Sequence, residues 1–217
     1  MDGRILVATD GSDGALGALR VAAALAERDG GVPLAVSVVE PIVLESSVLY
    51  TMPALALALA EQPEVEVRDR VRAQLRGLGL RTSAWELQVP VGPVASEIAR
   101  LADECDAALI VLGLRRHSRI ERFLSGDTAA DVARLSRVPV LAVSPDATAL
   151  PQRAVVGVDF SDYSRDAACT VMEVVAEDAD VHLVHVSWIM SHDDGDDDWA
   201  SVYRTGARVR LEELAHE

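Results

Sequence analysis

Short apolar runs alternate with amphipathic stretches along most of the chain. Arg4 to Thr9 (RILVAT) is apolar and ends in Asp10-Gly11-Ser12-Asp13, a turn and helix-cap cluster. Leu16, Leu19, Ala23 and Ala26 then recur at helical spacing until Gly30-Gly31 stops the pattern. Val32 to Val39 is the next strand, and strand–helix–strand with every member apolar enough to be buried predicts a βαβ unit in a parallel sheet. Val67, Val71, Leu75 and Leu78 line one face of a helix over 63–78. Trp85, Leu87 and Val89 alternate with Glu86 and Gln88, which predicts a half-buried strand. Val91-Gly92-Pro93 starts another helix, with proline near its first turn and Ile98, Leu101 and Ala102 facing inward. The strands expected are 4–9, 32–39, 83–89, 108–112 and 138–143, separated by helices. That is an α/β fold with a doubly wound five-stranded parallel sheet.

The densest chemistry lies between Leu109 and Val143, LIVLGLRRHSRIERFLSGDTAADVARLSRVPVLAV. An apolar run stops at Gly113, a basic loop follows, Gly126 opens an alanine-rich helical segment, and Val138 to Val143 close with a second apolar run. Strand, loop, helix, strand is the unit in which α/β proteins hold anions, because a helix start offers unpaired N–H groups and the positive end of its dipole. The two glycines let the backbone come close to a ligand without a Cβ in the way. Arg115, Arg116, Arg119, Arg122 and His117 form a basic island, suited either to phosphate capture or to pairing with carboxylates elsewhere. Asp127 opposes phosphate, since a carboxylate at a first helical turn caps the exposed N–H groups and fills the anion site from within. A carboxylate about 4 Å from a phosphate costs about 1 kcal/mol in water and several when partly buried. That corresponds to roughly one to three decades in affinity. Thr128 follows one residue later, with its hydroxyl either near a ligand or on the helix surface. Thr9 and Asp10 fall at the carboxyl end of the first strand, where open α/β sheets bind ligands, and Asp10 also suits a helix cap.

This segment resembles the C-terminal motif of the universal stress protein family. That motif is glycine, two residues, glycine, nine residues, glycine, then serine or threonine, ahead of a closing strand reading like Pro-Val-Leu. Gly113 matches the first glycine, Gly126 the third, and Pro139-Val140-Leu141 the closing strand. Arg116 replaces the second glycine and Asp127 the hydroxyl residue. The resemblance implies an adenine nucleotide alpha hydrolase-like, Rossmann-like arrangement with a nucleotide pocket between the ends of the first and fourth strands. In members that bind ATP these positions hold the triphosphate and ribose, the residue matching Asp10 lies in the pocket, and the one matching Val38 packs near the adenine. It implies a stress-response protein that acts by binding and dimerisation, with a degenerate nucleotide pocket, and self-association through strand 138–143. An alternative keeps ATP bound, with Arg116 compensating for the lost glycine. From the enzyme class, Asp10-Gly11-Ser12 is similar to part of the Ser-Gly-Gly-x-Asp-Ser loop of ATP-pyrophosphatases.

Residues 153–164, RAVVGVDFSDYS, echo residues 4–15, RILVATDGSDGA, so that Asp159 falls on Asp10, Ser161 on Ser12 and Asp162 on Asp13. A helix-like stretch over 165–177 and the strand-like Val181 to Val186 continue the echo. The expected organisation is a first domain over 1–146, a linker over 147–152, and a partial second βαβ repeat of the same family over 153–217. A half-copy with two strands leaves an edge and an apolar face uncovered, so it is expected to pack on the first domain or on another chain, the latter offering a second surface for self-association. The apolar stretch Val48 to Ala60, broken by Pro53, is too short and interrupted to span a bilayer and reads as a lid or extra helix, or as a partner-facing patch.

The 217 residues are 50% hydrophobic, carry a formal net charge of −15, and contain no lysine, so every formal cation is an arginine. That balance argues against general nucleic-acid or anionic-membrane binding. Cys105 and Cys169 are isolated and form neither a disulfide framework nor a zinc motif. No Ser–His–Asp set, paired carboxylates or metal pair follows from spacing, and the acidic stretch 192–198 lacks the spaced ligands of a calcium loop. The chain opens Met-Asp-Gly-Arg and runs straight into a strand, which reads as a cytoplasmic protein.

Overall fold

The structure is a computed structural model that describes residues 3–41, 63–114, 128–187 and 197–216. The chain divides into two compact units, Met1–Ala149 and Leu150–Glu217. The apolar stretch over 48–60 and the acidic residues over 192–196 lie outside the described residues.

In the first unit, β1 (Arg4–Ala8) leads through a short 3-10 turn (Asp13–Ala15) into α1 (Leu16–Asp29). Gly30, at φ 74°, supplies the left-handed residue that ends α1. There follow β2 (Pro33–Val36), α2 (Pro63–Gly77), β3 (Glu86–Gln88), α3 (Val94–Glu104), β4 (Ala107–Gly113), α4 (Thr128–Leu135) and β5 (Val140–Val143). The strands form one parallel sheet in the order β3-β2-β1-β4-β5. Crossovers run outward from β1 to β3 and then back through β4 to β5, so the direction of winding reverses between β1 and β4.

The sheet is the five-stranded one expected; four strands are shorter than expected, while β4 extends one residue further at each end. β2 pairs with β1 over Pro33–Val36 and with β3 over Leu34–Val36; beyond it, Ser37 N donates to Gln88 O and Val39 makes an isolated bridge with Val91. Trp85, Leu87 and Val89 are half-buried while Glu86 and Gln88 are exposed, as an edge strand with one solvated face requires. One face of the sheet packs Leu6, Leu34, Val36, Ile110 and Leu112 against Ile98, Leu101 and Ala102 of α3 and Val132 of α4. α1 covers β1, β4 and β5 from the other side with Leu19, Ala22 and Leu25 fully buried. Burial of both faces is what the unbroken apolar runs of β1, β2 and β4 anticipate. Val71 and Leu75 of α2 are buried, matching the stripe expected there.

In the second unit, β6 (Arg153–Gly157), α5 (Asp162–Val174), β7 (Asp180–Val184) and α6 (Asp197–Leu214) follow in order, and β6 pairs with β7 in parallel. Val156, Val158, Val174 and Val175 are buried, whereas Val155 is 71% exposed. No described helix is long and apolar enough to cross a membrane.

Candidate functional site

The carboxyl end of β1 is built by side chains that bind their own backbone. Thr9, almost fully buried, accepts a hydrogen bond from Gly11 N at 3.0 Å and donates its hydroxyl to Gln74 Oε1 at 2.8 Å. Asp10 Oδ1 accepts from Ser12 N at 2.9 Å, an Asx turn that uses a carboxylate where a helix cap would use it one position later. Gly11 sits at φ 76°, in the left-handed region that a short polar turn needs and that glycine enters without steric cost. Gln74 Nε2 then donates to Ser12 O at 2.7 Å, so one amide of α2 holds the turn at both ends.

Gly113 ends β4 beside this turn, since Ala8 and Leu112 are partners across the two strands. A Cβ at Gly113 would run into Gly14 O and stand 2.9 Å from Ala15 Cα. The absence of a side chain there therefore serves close packing of β4 against the 3-10 turn, whatever else it permits. Thr9, Asp10 and Gly113 thus meet at neighbouring strand ends, at the point where the winding reverses. Thr9's hydroxyl is engaged as donor and acceptor within the fold. Val38 is partly buried and packs against the α3–α4 side of the core. Thr128 is the first residue of α4 and is exposed. Arg115, Arg116, Gly126 and Asp127 lie outside the described residues.

Two side chains here escaped the sequence reading. Gln74 and Arg70 stand one turn apart on α2, beside the stripe of Val67, Val71 and Leu75. A glutamine bordering a buried stripe is the available signal, because only a polar partner makes that position tolerable. The stem of Arg70 lies over Gly11: a Cβ there would be 2.5 Å from Arg70 Cδ and 2.7 Å from Cγ.

The second unit repeats the turn with one change. Asp159 Oδ1 accepts from Ser161 N at 3.0 Å and from Ser161 Oγ at 2.6 Å, and these bonds pull the Asp159 carboxyl down to about 2. Ser161 Oγ in turn accepts from Ser164 N and caps α5. The residue between them is Phe160, left-handed at φ 65°. Its ring lies 4.4 Å from that of His185, with the Arg210 guanidinium 5.5 Å from its centroid. His185 Nδ1 lies 2.7 Å from Val158 O, a carbonyl that can only accept, so Nδ1 carries the proton and Nε2 accepts from Tyr203 Oη at 2.9 Å. Elsewhere, burial pushes the Cys105 thiol up, while its Sγ donates to Ala102 O, the arrangement of a packed rather than a reactive cysteine. Among the described residues no group of His, Cys, Asp and Glu is placed to hold a metal ion.

The universal stress protein family model matches residues 1–144. Among solved structures, a universal stress protein from Archaeoglobus fulgidus DSM 4304 superposes with a TM-score of 0.57 at 23% identity, covering 97% of this chain and 74% of that one. The universal stress protein UspA from Lactobacillus plantarum gives a TM-score of 0.53 at 23% identity, over 65% of this chain and 97% of that one. An Archaeoglobus fulgidus universal stress protein in complex with dAMP is 25% identical, over 65% of this chain and 97% of its own, with a TM-score of 0.42. No curated protein matches the chain.

Proposed function

The chain belongs to the universal stress protein family, and from that premise we propose that it is a stress protein working by binding and self-association, with a nucleotide pocket at the carboxyl ends of β1 and β4. The observation that carries this reading is the Thr9–Asp10–Gly11 turn, clamped by Gln74 and set beside Gly113 at the strand-order reversal, where a parallel sheet leaves its ligand crevice. The missing side chains at Gly11 and Gly113 let the Arg70 stem and the 3-10 turn pack against the backbone at these strand ends, and the Asp10 turn fixes the chain there. The pocket is degenerate for a triphosphate. Asp127 brings a negative charge to the start of α4, the end whose dipole would otherwise favour phosphate. On this reading strand 138–143 and the second unit serve self-association, and the protein is cytoplasmic.

Titration with ATP of the wild-type protein and of Asp127→Ser tests the pocket. The substitution removes the opposing charge and restores a hydroxyl, and ATP affinity should rise at least about tenfold, the equivalent of about 1.4 kcal/mol. An unchanged or weaker affinity would overturn the account of Asp127. Sedimentation velocity of a variant with Leu141→Arg tests the pairing surface: loss of an assembled species supports β5 as the interface, and retention removes it.

A further inference from the structure

We propose that Arg70, on α2, is the anion-contacting residue of the β1 strand end, and that the ligand end it receives is a polyphosphate. The inference rests on reading that strand end as the ligand pocket, and it assigns the pocket's cation to a helix that lies outside the glycine motif.

The geometry carries it in three steps. Gly11 has no side chain, and the methylenes of Arg70 occupy the place where one would begin, with Cδ and Cγ within 2.5 and 2.7 Å of that point. The stem is therefore supported along the turn at the carboxyl end of β1, and the residue is exposed to solvent. The guanidinium makes no hydrogen bond or ion pair with any described residue. The acidic neighbours on its own helix do not take it: Asp69 faces Arg72 at 3.8 Å, and Glu66, one turn back, forms no ion pair with it. In a chain of net charge −15, an arginine that pairs with no described carboxylate beside a candidate ligand turn is a retained cation.

Gln74 adds the second step. It is one turn further along α2 and bonds both Thr9 and Ser12, so the helix cannot rotate or slide over the turn without breaking those bonds. Arg70 is held in register by the residue that clamps the turn.

The second unit supplies the third step as an internal comparison. There too a helix follows the second strand, and there too an arginine, Arg210, reaches the residue between the Asp and Ser of the turn. In that unit the residue is Phe160, and the guanidinium lies over its ring, beside His185 and Tyr203. The middle residue of the turn meets the arginine through an aromatic ring in one unit and through bare glycine backbone under the arginine stem in the other. A guanidinium with its planar fork of donors is the side chain best matched to phosphate oxygens. Adenosine, lacking phosphate, has no use for it.

The test uses the full chain and three probes: ATP, adenosine and inorganic tripolyphosphate, each by isothermal titration and by thermal melting. Arg70→Met keeps an apolar stem against Gly11 and removes the charge; Arg70→Lys keeps the charge and loses the fork. Arg70→Met is expected to melt like wild type without ligand, to weaken ATP and tripolyphosphate at least about tenfold, and to leave adenosine unchanged. Arg70→Lys should fall between. ATP and tripolyphosphate affinities in Arg70→Met that match those of wild type overturn the inference and leave the nucleotide reading standing. Tripolyphosphate held through Arg70, with ATP and adenosine both failing to bind, supports the inference and removes the nucleotide reading. Wild-type protein that binds neither ATP nor tripolyphosphate overturns the inference outright.

Discussion

Replacing Gly113 by alanine separates two reasons for a glycine at the end of β4. If the residue is glycine only so that a ligand can approach, the ligand-free protein should not notice a methyl group. The structure says otherwise, because the new Cβ would press on the Gly14 carbonyl and lie 2.9 Å from Ala15 Cα. Both are backbone atoms of the 3-10 turn, and that turn is joined to Thr9 through the Ser12–Gln74 bond. Neither can step aside as the tip of a flexible side chain could. Overpacking of this kind costs about 1–3 kcal/mol, and for a chain of this size each kcal/mol moves the midpoint by about 2–4 °C. The ligand-free melting temperature of Gly113→Ala should therefore fall by roughly 2–12 °C. Gly77→Ala is the control, since a Cβ there meets nothing within 4 Å and the site ends a helix. Its stability should match wild type or exceed it by about 0.5 kcal/mol. Urea unfolding of both variants without ligand decides the matter. A Gly113→Ala stability within about 0.5 kcal/mol of wild type would refute the packing argument and return the residue to ligand approach alone.

Removing the Gln74 amide strands the Thr9 hydroxyl and the Ser12 carbonyl, so Gln74→Leu should lose about 1–3 kcal/mol in urea unfolding; Gln74→Glu, which can accept from Thr9 but cannot donate to Ser12, should also be less stable than wild type. Phe160→Ala discards the ring yet keeps a left-handed side-chain residue, while Phe160→Gly discards both, so the glycine variant should be the more stable of the two by about 1 kcal/mol; equal stabilities would show that φ 65° carries no strain. Asp159 is lowered from 3.8 to about 2 by its Ser161 bonds, so its contribution is complete above 3.8 and disappears as pH falls through about 2. Carboxyl NMR should find its midpoint near 2, and Ser161→Ala should move that midpoint up toward 3.8; a midpoint already at 3.8 in wild type sinks the assignment of those bonds.

Periodicity carried the fold where burial alone decides a position. The stripes on α1, α2 and α3 and the alternation around Leu87 follow from one rule, that an apolar side chain must find a covered face, and a single strand or helix states that rule in its own residues. Strand limits obey a different rule. Val39 is as apolar as Val36, but it makes only an isolated bridge because the partner at that height is the bend before α3 rather than a strand, and no property of Val39 records this. His185 was equally mute, since its role is fixed by the Val158 carbonyl and the Tyr203 hydroxyl, both distant in sequence.

The turns at Asp10 and Asp159 show where similarity of sequence and similarity of use part company. The shared Asp and Ser dictate the same hydrogen bond, Ser N donating to Asp Oδ1, and with it the same left-handed residue between them. Once the backbone is set, the middle position is free to vary only at a cost, and the two units resolve that cost in opposite ways. Gly11 takes the conformation without strain and leaves the Arg70 stem lying on bare backbone. Phe160 accepts strain of about 1–2 kcal/mol and offsets it with ring contacts to His185 and Arg210. A residue that is unfavourable for its backbone persists only when its side chain is held by neighbours, and here those neighbours fill the strand end. The turn is thus covered by an arginine stem in one unit and carries an aromatic ring in the other, and the difference turns on a single position in each.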